Sequence, residues 1–388
     1  MRIIMVNNYG YVTGGADLHC IEITQALRER GHEVQWLATS SPDNLEQDGA
    51  FIHRTVGADN RDEMSIRQGL GIAAKAMWNS EASRAMKRLV KDFEPDLVHV
   101  HKAYVQLSVA PVVIASRMDV PVVQTLHDYE FISASNVDST GARLDREESQ
   151  FSYRALNSAT YLTRRYVHKP RVRKWIAVSR KVAEFYETVG GIHCEVIPNF
   201  GGDPDLEKLS FSDRSGVVFL GRLAEEKGVK YVIEVAERCP EVPFFIAGDG
   251  PLRSMVCEAD SRLGNLTYKG FANRAEALDL MSRSIACLIP SVWHEPGPLS
   301  CLEAMASGTA VVCFPVGGLS EYVSDANGGI VCRIKDTEQL ASSVRELASN
   351  EIRWQEFSDN GVKASRETHS PERYLNSLEV VYHDSVKA

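Results

Sequence analysis

Short apolar runs alternate with helical patterns along both halves of this 388-residue chain. Runs of this length, bounded by turn residues, predict strands, and regular alternation of strands with helices predicts a doubly wound parallel sheet. In the first half the predicted strands are 2–7, 32–39, 51–56, 96–101, 120–126 and 175–179. In the second half they are 217–220, 244–247, 266–268, 286–289, 310–314 and 330–332. The predicted fold class is therefore α/β, with two Rossmann-like sheets.

A turn-rich stretch separates the two series of strands. Residues 200–205 read Phe-Gly-Gly-Asp-Pro-Asp and lead into a charged stretch that ends at Gly216. Because a single core usually stops growing below this chain length, two domains are expected. We predict an N-terminal domain over 1–199, a C-terminal domain over 200–370 and a last segment, 371–388, that contains a helix.

Composition excludes several classes of protein. The net charge of -9 argues against a general nucleic-acid binder, because neutralising phosphates needs a basic face. Eight scattered cysteines without a Cys-x-x-Cys pair predict buried free thiols in a reducing compartment rather than a metal or disulfide framework. No stretch reads as a signal peptide or membrane span, so a cytoplasmic protein is expected.

The stretch 293–308 places two carboxylates eight positions apart, around a Gly/Pro turn and the start of a helix. Glu303 lies in an Ala- and Met-rich segment that predicts a helix opening after Pro298, and a carboxylate with little water nearby is costly unless it is paired. The vicinal hydroxyls of a ribose or sugar would satisfy it. We expect Glu295 beside the N–H groups of the helix N-terminus, where phosphate oxygens bind readily. The pattern indicates a nucleotide-sugar site.

This stretch closely resembles the Glu-x7-Glu signature of family 4 glycosyltransferases, which are retaining enzymes of the GT-B fold. Further motifs extend the resemblance over nearly the whole chain, and their order and spacing make a strong match. They are Gly14-Gly15-Ala16-Asp17, Thr125-Leu126-His127-Asp128, Ile197-Pro198-Asn199, Gly221-Arg222-Leu223 with Lys227-Gly228, Ala247-Gly248-Asp249-Gly250-Pro251 and Gly317-Gly318-Leu319-Ser320-Glu321. The resemblance implies two Rossmann-like domains facing across a cleft, with a last helix, about 371–382, that crosses back to the first domain.

Residues just after each predicted strand are candidates for ligand binding, because ligands bind beyond the carboxyl ends of the strands in open α/β sheets. Gly14 and Gly15 follow the first strand, where the missing side chains let the backbone approach a diphosphate. An ordinary flexible turn is the alternative. Arg222 and Lys227 follow the first strand of the second half and can neutralise two phosphates. A solvated pair bonded to the two neighbouring glutamates is the alternative there, and the family pattern favours the diphosphate.

The resemblance also implies roles for the two glutamates: Glu295 binds hydroxyls of the donor sugar and Glu303 binds the ribose hydroxyls. A glycosidase-like pair is the competing interpretation, although that chemistry places both carboxylates at one anomeric carbon. Many family members have Phe-Gly where this chain has Gly297-Pro298, and proline has no N–H to donate. The expected donors therefore shift to the N–H groups of Leu299 and Ser300. The predicted donor-binding set is Gly14, Gly15, Arg222, Lys227, Gly248, Glu295, Gly297, Pro298, Leu299, Ser300 and Glu303.

His127 ends the strand 120–126 in the opposite half of the predicted cleft. A histidine there could bind a sugar hydroxyl, act as a base or lie satisfied in the core. The matching histidine of the family contacts the donor sugar without being a firm general base, and we adopt that role. His101 alternates with valines at a strand end and is expected to face the cleft, so we place it with Asp128 on the acceptor side. The predicted catalytic residues are His127, Glu295, Arg222 and Lys227.

No metal and no cofactor are predicted, and the nucleoside-diphosphate sugar serves as a co-substrate. GT-A glycosyltransferases hold a metal with Asp-x-Asp, whereas here Arg222 and Lys227 would supply the positive charge. The Asp-x-Asp match at 203–205 lies in the predicted linker and is better explained as a turn. In the resembled family the leaving phosphate is thought to accept the acceptor's proton on one face of the sugar, which requires no protein nucleophile.

Residues 161–175 carry six Arg or Lys and no acid in an otherwise acidic chain. Basic and aromatic residues interleaved in this way can rest on an anionic membrane or hold a phosphorylated acceptor, and a solvated basic face is the simpler alternative. If the segment binds a membrane, the acceptor is expected to be lipid-linked and the protein to be peripheral at the inner membrane surface.

These observations predict a retaining, metal-independent glycosyltransferase that moves a sugar from a nucleoside-diphosphate donor to a hydroxyl of a glycan, a lipid-linked acceptor or a small molecule. The polar residues 128–155 are expected to form part of the acceptor wall. A sugar-nucleotide epimerase of the same fold is the enzymatic rival, and it would need acid and base groups around the sugar. A non-catalytic GT-B protein that binds glycans or nucleotides is the other rival, and the intact cations and carboxylates argue against it.

Overall fold

Two parallel sheets make up the molecule. The computed structural model describes residues 1–55, 66–129, 131, 160–202 and 208–387. The strands are β1 (Arg2–Tyr9), β2 (Glu33–Thr39), β3 (Gly49–Ile52), β4 (Leu97–Lys102), β5 (Val122–Leu126), β6 (Lys174–Ala177), β7 (Glu195–Val196), β8 (Val217–Leu220), β9 (Phe244–Ala247), β10 (Leu266–Gly270), β11 (Ala286–Ile289), β12 (Ala310–Cys313) and β13 (Gly329–Val331). The predicted boundary at 199/200 falls between β7 and β8.

Both sheets have the strand order of a doubly wound fold. The first runs β3-β2-β1-β4-β5-β6-β7 and the second β10-β9-β8-β11-β12-β13, with every recorded strand pair parallel. In each sheet the order reverses beside the first strand of that half, between β1 and β4 and between β8 and β11. Crevices that bind ligands open at such reversal points, beyond the carboxyl ends of the strands.

The helices cover both faces of each sheet. They are Gly15–Glu29, Ile66–Met77, Ser80–Phe93, Tyr104–Leu107, Ala110–Arg117, Arg180–Gly190, Val229–Arg238, Arg253–Arg262, Arg274–Ser282, Leu299–Ala306, Gly317–Ala326, Thr337–Ser349, Glu351–Glu367 and Pro371–Lys387. Short π and 3-10 segments lie at Arg164–His168, Lys169–Arg171, Phe211–Asp213 and Glu225–Lys227. Among the described residues no helix is long and apolar enough to cross a bilayer.

The predicted α/β class and the GT-B arrangement are confirmed, and the predicted strands agree with the structure to within a few residues. The sequence prediction missed β7 because its two residues are exposed and form no apolar run. It also missed the helices Ile66–Met77 and Ala110–Arg117, the second of which is apolar on nearly every side and lacks an amphipathic pattern.

The last helix, Pro371–Lys387, packs on the N-terminal sheet. Its Leu378 and Tyr382 are buried in one cluster with Ile3 and Met5 of β1. The Tyr382 hydroxyl also lies 2.7 Å from the Nδ1 of His99 in β4. The crossing back of this helix is therefore confirmed, and it fills one face of the first sheet.

Several hydrogen bonds join the two halves beside the cleft. The Ser179 hydroxyl donates to the carbonyl oxygen of Pro296 at 2.8 Å, and the Tyr322 hydroxyl donates to that of Val178 at 2.5 Å. The Glu321 carboxylate accepts the N–H of Arg180 at 3.0 Å, at the start of the helix Arg180–Gly190. These contacts bring the carboxyl edges of the two sheets together.

All eight cysteines are free thiols, as predicted, and seven are buried. Cys257 is the exception to the predicted burial. It lies on the exposed side of the helix Arg253–Arg262, where only Val256 and Ala259 are buried.

Candidate active site

The carboxyl edges of the two sheets face each other at the cleft. On the N-terminal side Tyr129, two residues after His127, packs edge-on against His294 at a ring-centroid distance of 5.9 Å. His294 directly precedes Glu295, so the structure brings the His127 edge close to the Glu295 loop. A Cβ on Gly15 would meet the side chain of Leu299 at 3.6 Å, which places the glycine turn after β1 against the start of the helix Leu299–Ala306.

Lys227 and Glu295 form an ion pair at the C-terminal edge. The Lys227 Nζ lies 2.7 Å from the Glu295 Oε1, and the Ser291 hydroxyl donates to the same oxygen at 2.7 Å. Glu295 is only 3% exposed, and the ammonium also lies 5.3 Å from the centre of the Trp293 ring. The sequence predicts this carboxylate beside the N–H groups of the helix N-terminus. It is held instead by a cation and a hydroxyl, because a buried charge needs a counter-charge.

A glycine explains how Lys227 reaches Glu295. Lys227 ends a single 3-10 turn, and Gly228 follows it with a left-handed φ of 71°. A Cβ at Gly228 would lie 1.9 Å from the carbonyl oxygen of Pro290, in the loop after β11. Only glycine permits this close approach, and it brings the Lys227 turn against the loop that carries Glu295.

Arg222 is arranged differently from Lys227. Its guanidinium pairs with the Glu226 carboxylate one turn away, and the side chain is 64% exposed. The alternative that we considered for both cations, pairing with a neighbouring glutamate, is therefore what Arg222 does in this structure. Lys227 instead pairs across the site, so the two cations are at the same strand end in different surroundings.

Glu303 is mostly buried and pairs with a cation that the sequence did not suggest. The Arg274 Nε lies 3.5 Å from the Glu303 Oε1, and the same guanidinium reaches Glu22 of the N-terminal half at 2.5 Å. Burial raises the pKa of Glu303, and the nearby Arg274 opposes that rise. The carboxylate is thus satisfied by a guanidinium that bridges the two halves.

At the first turn of the helix Leu299–Ala306, two N–H groups make no backbone hydrogen bond to a described residue. Pro298 is its N-cap, and the first backbone bond is from the Cys301 N–H to the Pro298 carbonyl at 3.2 Å. The N–H groups of Leu299 and Ser300 precede that bond, as the first donors of any helix do. These are the two N–H groups that the sequence predicts to contact the nucleotide sugar.

Gly248 and Gly297 both lie where the backbone is closely packed. A Cβ on Gly248, whose φ is 145°, would lie 1.9 Å from the carbonyl oxygen of Gly221. The Gly297 carbonyl accepts the Asn199 side-chain amide at 2.9 Å. Gly248 thus holds the ends of β8 and β9 together, and Asn199 ties the Glu295 loop to the connection between the halves.

The N-terminal edge is lined by histidines. The Nε2 of His127 lies 2.8 Å from the Nδ1 of His101, and the two rings are stacked. His127 is partly exposed, whereas His101 is fully buried. The prediction that His101 faces the open cleft is not met, because His101 is fully buried and the His127 ring stacks over it. Burial lowers the pKa of both imidazoles well below the ordinary range.

His19 also belongs to this edge, and the sequence prediction missed it. It is fully buried in the helix Gly15–Glu29, with ring-centroid distances of 5.9 Å to His127, 4.9 Å to Phe200 and 5.0 Å to Tyr374. Neither ring nitrogen has a hydrogen-bond partner among the described residues. Burial lowers its pKa to about 3. The available signal was a polar residue between Leu18 and Cys20 on the apolar face of the first helix.

Asp128 is buried beside the histidines. Its carboxylate lies 3.5 Å from the Lys102 ammonium, and its carbonyl oxygen accepts the Tyr186 hydroxyl at 2.7 Å. The proposed acceptor wall that continues from here, at 132–155, lies outside the described residues, as does the predicted turn at 203–205. Among the residues that the structure does describe, no group of three His, Cys, Asp or Glu is placed to hold a metal ion.

The basic segment 161–175 is largely engaged in internal contacts. Arg164 is buried with its guanidinium 5.2 Å from the Tyr104 ring centre, and Arg173 donates to the Ser385 carbonyl at 2.8 Å. Lys169 donates to the Gly190 carbonyl at 2.6 Å, and Lys174 lies 3.2 Å from Glu195. The segment is therefore only in part the free basic face that its composition suggested.

The two facing Rossmann-like sheets are the architecture of the GT-B class, and comparisons with known proteins connect the chain to glycosyltransferases. A model of "Glycosyltransferase Family 4" matches residues 13–200, and a model of "Glycosyl transferases group 1" matches 205–364. Together the two models span most of the chain. This chain belongs to the family 4 type of glycosyltransferases.

Individual relatives cover nearly the full length. Glycogen synthase of Mycobacterium tuberculosis (strain H37Rv) is 27% identical in an alignment of 368 positions that covers 89% of this chain and 86% of the relative. Phosphatidyl-myo-inositol mannosyltransferase of Mycolicibacterium smegmatis is 24% identical in an alignment of 356 positions that covers 89% of this chain and 84% of the relative. The crystal structure of Anabaena HepE with UDP-glucose matches with a TM-score of 0.67 and 20% identity, covering 98% of this chain and 99% of that one.

Proposed function

We propose that this glycosyltransferase moves a sugar from a nucleoside-diphosphate donor to a hydroxyl acceptor, with retention of the anomeric configuration and without a metal ion or cofactor. The observation that carries the proposal is the pairing of Lys227 with the buried Glu295 at 2.7 Å, opposite the edge that bears His127. A carboxylate that accepts sugar hydroxyls and an ammonium that neutralises a diphosphate are what transfer from a nucleotide sugar needs at that place.

The cations and the helix N-terminus are proposed to bind the diphosphate. Lys227 would neutralise the charge that builds on the leaving group, and Arg222 would add its fork of donors after releasing Glu226. The free N–H groups of Leu299 and Ser300 would donate to a phosphate oxygen, as helix N-termini commonly do. Gly14 and Gly15 lack side chains where the N-terminal half approaches this helix, which leaves room for the diphosphate.

The two glutamates are proposed to bind different hydroxyl groups. Glu295 already accepts two hydrogen bonds at one oxygen, so its second oxygen would accept hydroxyls of the donor sugar. Glu303 would accept the ribose hydroxyls, which requires Arg274 to yield part of its contact. Burial of both carboxylates makes a charge-assisted hydrogen bond stronger than it would be in water.

We propose that the reaction needs no protein nucleophile. The bond from the anomeric carbon to the diphosphate oxygen would break as the acceptor oxygen bonds to that carbon on the same face, and the acceptor's proton would pass to the leaving phosphate oxygen. His127 would bind the donor sugar at this centre. Asp128, with His101 buried behind His127, would shape the acceptor side without touching the anomeric carbon.

A thermal-shift screen of UDP-, GDP-, ADP- and TDP-sugars, each with and without EDTA, tests the donor and the metal. A donor that binds the native state should raise its stability by about 2.7 kcal/mol at a hundredfold excess over Kd, and EDTA should leave both binding and turnover unchanged. The proposal fails if no nucleotide sugar stabilises the protein, or if chelation abolishes turnover and magnesium or manganese restores it.

A lipid-linked acceptor at an anionic membrane is the partner that we propose for the N-terminal half. Four basic residues of the helix Ser80–Phe93 lie on one exposed side: Arg84, Lys87, Arg88 and Lys91. None of them has an ion-pair partner among the described residues. The helix Ala110–Arg117 contacts both the helix Ser80–Phe93 and the turns at 164–171 of the basic segment. Each basic residue near an anionic surface contributes about 1 kcal/mol, so the two together can hold the protein there.

Vesicle co-sedimentation tests the membrane contact. The protein should bind vesicles that contain anionic phosphatidylglycerol but not neutral phosphatidylcholine, and the double substitution Lys87→Glu with Arg88→Glu should release it. Arg253→Glu, an exposed cation in the other half, is the matched control. Equal binding to both kinds of vesicle, or binding unaffected by the double substitution, would remove the membrane from the proposal.

A further inference from the structure

The paired imidazoles of His101 and His127 share one hydrogen bond. The His101 Nδ1 and the His127 Nε2 are 2.8 Å apart, and the rings are nearly parallel, at 21° with centroids 5.1 Å apart. Burial keeps both rings neutral near pH 7, because it lowers the pKa of each well below the ordinary value. A neutral imidazole carries one N–H and one lone pair. One proton must therefore lie between the two nitrogens, and the tautomers of the two rings are coupled.

Two coupled arrangements are possible. If His101 donates, its proton is on Nδ1 and its Nε2 is a bare acceptor, while His127 carries its own proton on Nδ1. If His127 donates, its Nδ1 is bare, and the Nε2 of His101 carries a proton. The two arrangements present opposite groups to a ligand at the Nδ1 of His127, a donor in the first and an acceptor in the second.

The buried nitrogen of His101 favours the first arrangement. The His101 Nε2 is buried and has no hydrogen-bond partner among the described residues. Buried N–H groups without an acceptor are rarer than buried acceptors without a donor, so that nitrogen is expected to be bare. We propose that His101 is a positioning residue that fixes the tautomer of His127, so that His127 offers an Nδ1–H donor to the donor sugar.

The surroundings hold His101 in place for this role. Its carbonyl oxygen accepts the Gln124 side-chain amide at 3.0 Å, and its ring packs on His99 at a centroid distance of 4.3 Å. His99 is itself fixed at both nitrogens, by the Thr125 hydroxyl and by Tyr382 of the last helix, each at 2.7 Å. The tautomer of His127 is thus set by a rigid stack, and its own Nδ1 makes no hydrogen bond to a described residue.

The inference rests on the proposed function and sharpens it. An Nδ1–H donor can bind a lone pair of a sugar oxygen but cannot accept the acceptor's proton. His127 then cannot be the general base, and the proton must go elsewhere, as it does when the leaving phosphate accepts it. A general base at His127 would give the pH profile of kcat an acidic limb, and His127→Gln would remove that limb. We expect no such limb.

Long-range proton–nitrogen NMR on enzyme labelled with ¹⁵N-histidine reads the tautomer directly, with His127→Gln to assign the signal. In the wild-type protein without ligand the His127 Nδ1 should be protonated and the Nε2 bare. This measurement does not depend on activity. The tautomer prediction can therefore be refuted while the proposed function stands, and the proposed function can be refuted while the tautomer prediction stands. A protonated Nε2 with a bare Nδ1 would overturn the inference.

Substitution at His101 supplies the kinetic test. His101→Leu should abolish the single tautomer and lower kcat roughly tenfold, the value of one neutral hydrogen bond, while KM for the nucleotide sugar stays within about twofold. His101→Asn, whose amide can donate from near the Nδ1 position, should restore the tautomer and most of kcat. His193→Gln, an exposed histidine of the same half that lies outside the stack, is the control and should leave both unchanged. An unaltered tautomer and kcat in His101→Leu would overturn the inference, as would failure of His101→Asn to restore either.

Discussion

The two edges that face the cleft are built from opposite kinds of polar group. The C-terminal edge is ionic: Lys227 pairs with Glu295, and Arg274 pairs with Glu303. The N-terminal edge is lined mainly by histidine rings, and burial lowers the pKa of His19 to about 3 and that of His127 well below its ordinary value. The Asp128–Lys102 pair lies beside these rings. Ion pairs thus dominate one side of the cleft, and neutral imidazoles dominate the other.

This difference suggests a division of labour. Ionic groups are needed where a diphosphate carries charge and where that charge grows as the leaving group departs. Neutral imidazoles suit a sugar or an acceptor hydroxyl, which carries no charge and needs only directional donors and acceptors. The comparison predicts that the N-terminal edge is sensitive to acid and that the C-terminal edge is sensitive to loss of single charges.

The largest expected effect is acid destabilisation of the N-terminal half. Burial lowers the pKa of His19, His99 and His168 to about 3 from 6.5. The unfolded chain binds protons below pH 6.5 that the folded chain does not, so stability is full above that pH and falls as the pH drops towards 3. At pH 5.5 each of these histidines lowers the free energy of unfolding by about 1.4 kcal/mol, which is roughly 4 kcal/mol for the three.

Hydrogen exchange read by mass spectrometry between pH 7 and pH 5 checks this effect, with exchange times corrected for the intrinsic rate. Peptides of β1, β4 and β5 should lose protection before those of β8 and β11. In the C-terminal half burial lowers the pKa of His369 as well, but no comparable cluster is present among its described residues. Earlier loss of protection in the C-terminal half would contradict the comparison.

The next effect is that of Lys227→Ala on turnover. The substitution removes a preorganised charge from the proposed leaving group, which typically costs about 2.7 to 4 kcal/mol, or a hundred- to thousandfold in kcat. It also leaves Glu295 buried without its cation, so the melting temperature should fall. Lys230→Ala, three residues on and exposed, is the matched control and should change neither. Steady-state kinetics and calorimetry decide, and a Lys227→Ala enzyme of near-normal kcat would refute the ionic role of this edge.

The fold could be predicted from the sequence because the signals for it are local. Buried parallel strands form continuous apolar runs, so Val217–Leu220, Phe244–Ala247 and Ala286–Ile289 were predicted with the observed bounds. The short strand Glu195–Val196 has no such run, because its residues are exposed at the end of the sheet. Its existence depends on pairing with β6, which no local pattern reports.

The candidate site could be predicted chiefly where a strand end places a residue in the cleft. That rule selected His127 and Lys227, whereas Glu295 was selected by the spacing of the two carboxylates around the Gly/Pro turn. It could not supply Arg274 as the partner of Glu303, because that contact depends on how three separate helices meet. It also misplaced His101, since alternation along a strand gives the face of a side chain but not the neighbour that covers it.

Glu303→Ala should have an intermediate effect, confined to nucleotide binding. Loss of a charge-assisted acceptor for the ribose hydroxyls should weaken nucleotide affinity by about 1.5 to 3 kcal/mol. Titration calorimetry with the nucleoside diphosphate measures it. Glu258→Ala, an exposed residue of the helix Arg253–Arg262, is a control that does not alter the helix that carries Arg274. Unchanged affinity in a folded Glu303→Ala protein would make Glu303 a structural partner of Arg274 only.

The smallest effect should come from Arg222→Ala. The Arg222 guanidinium is exposed and already paired with Glu226, so solvent screens the charge of Arg222 more than that of Lys227. We expect about a tenfold loss of kcat, near 1.4 kcal/mol, with an unchanged melting temperature. A loss in kcat equal to that of Lys227→Ala would show that Arg222 stabilises the leaving group as strongly as Lys227 does, and no loss at all would remove it from the mechanism.

The stereochemistry of the first product tests the central claim most directly. Proton NMR should follow the anomeric signal from the start of a reaction with an α-linked nucleotide sugar, in the presence of EDTA and before any mutarotation. The account predicts an α-linked product and no glycosylated peptide containing Glu295 or Asp128 by mass spectrometry. A β-linked product would show inversion, and a trapped adduct would show double displacement; either result would contradict the mechanism built on the two facing edges.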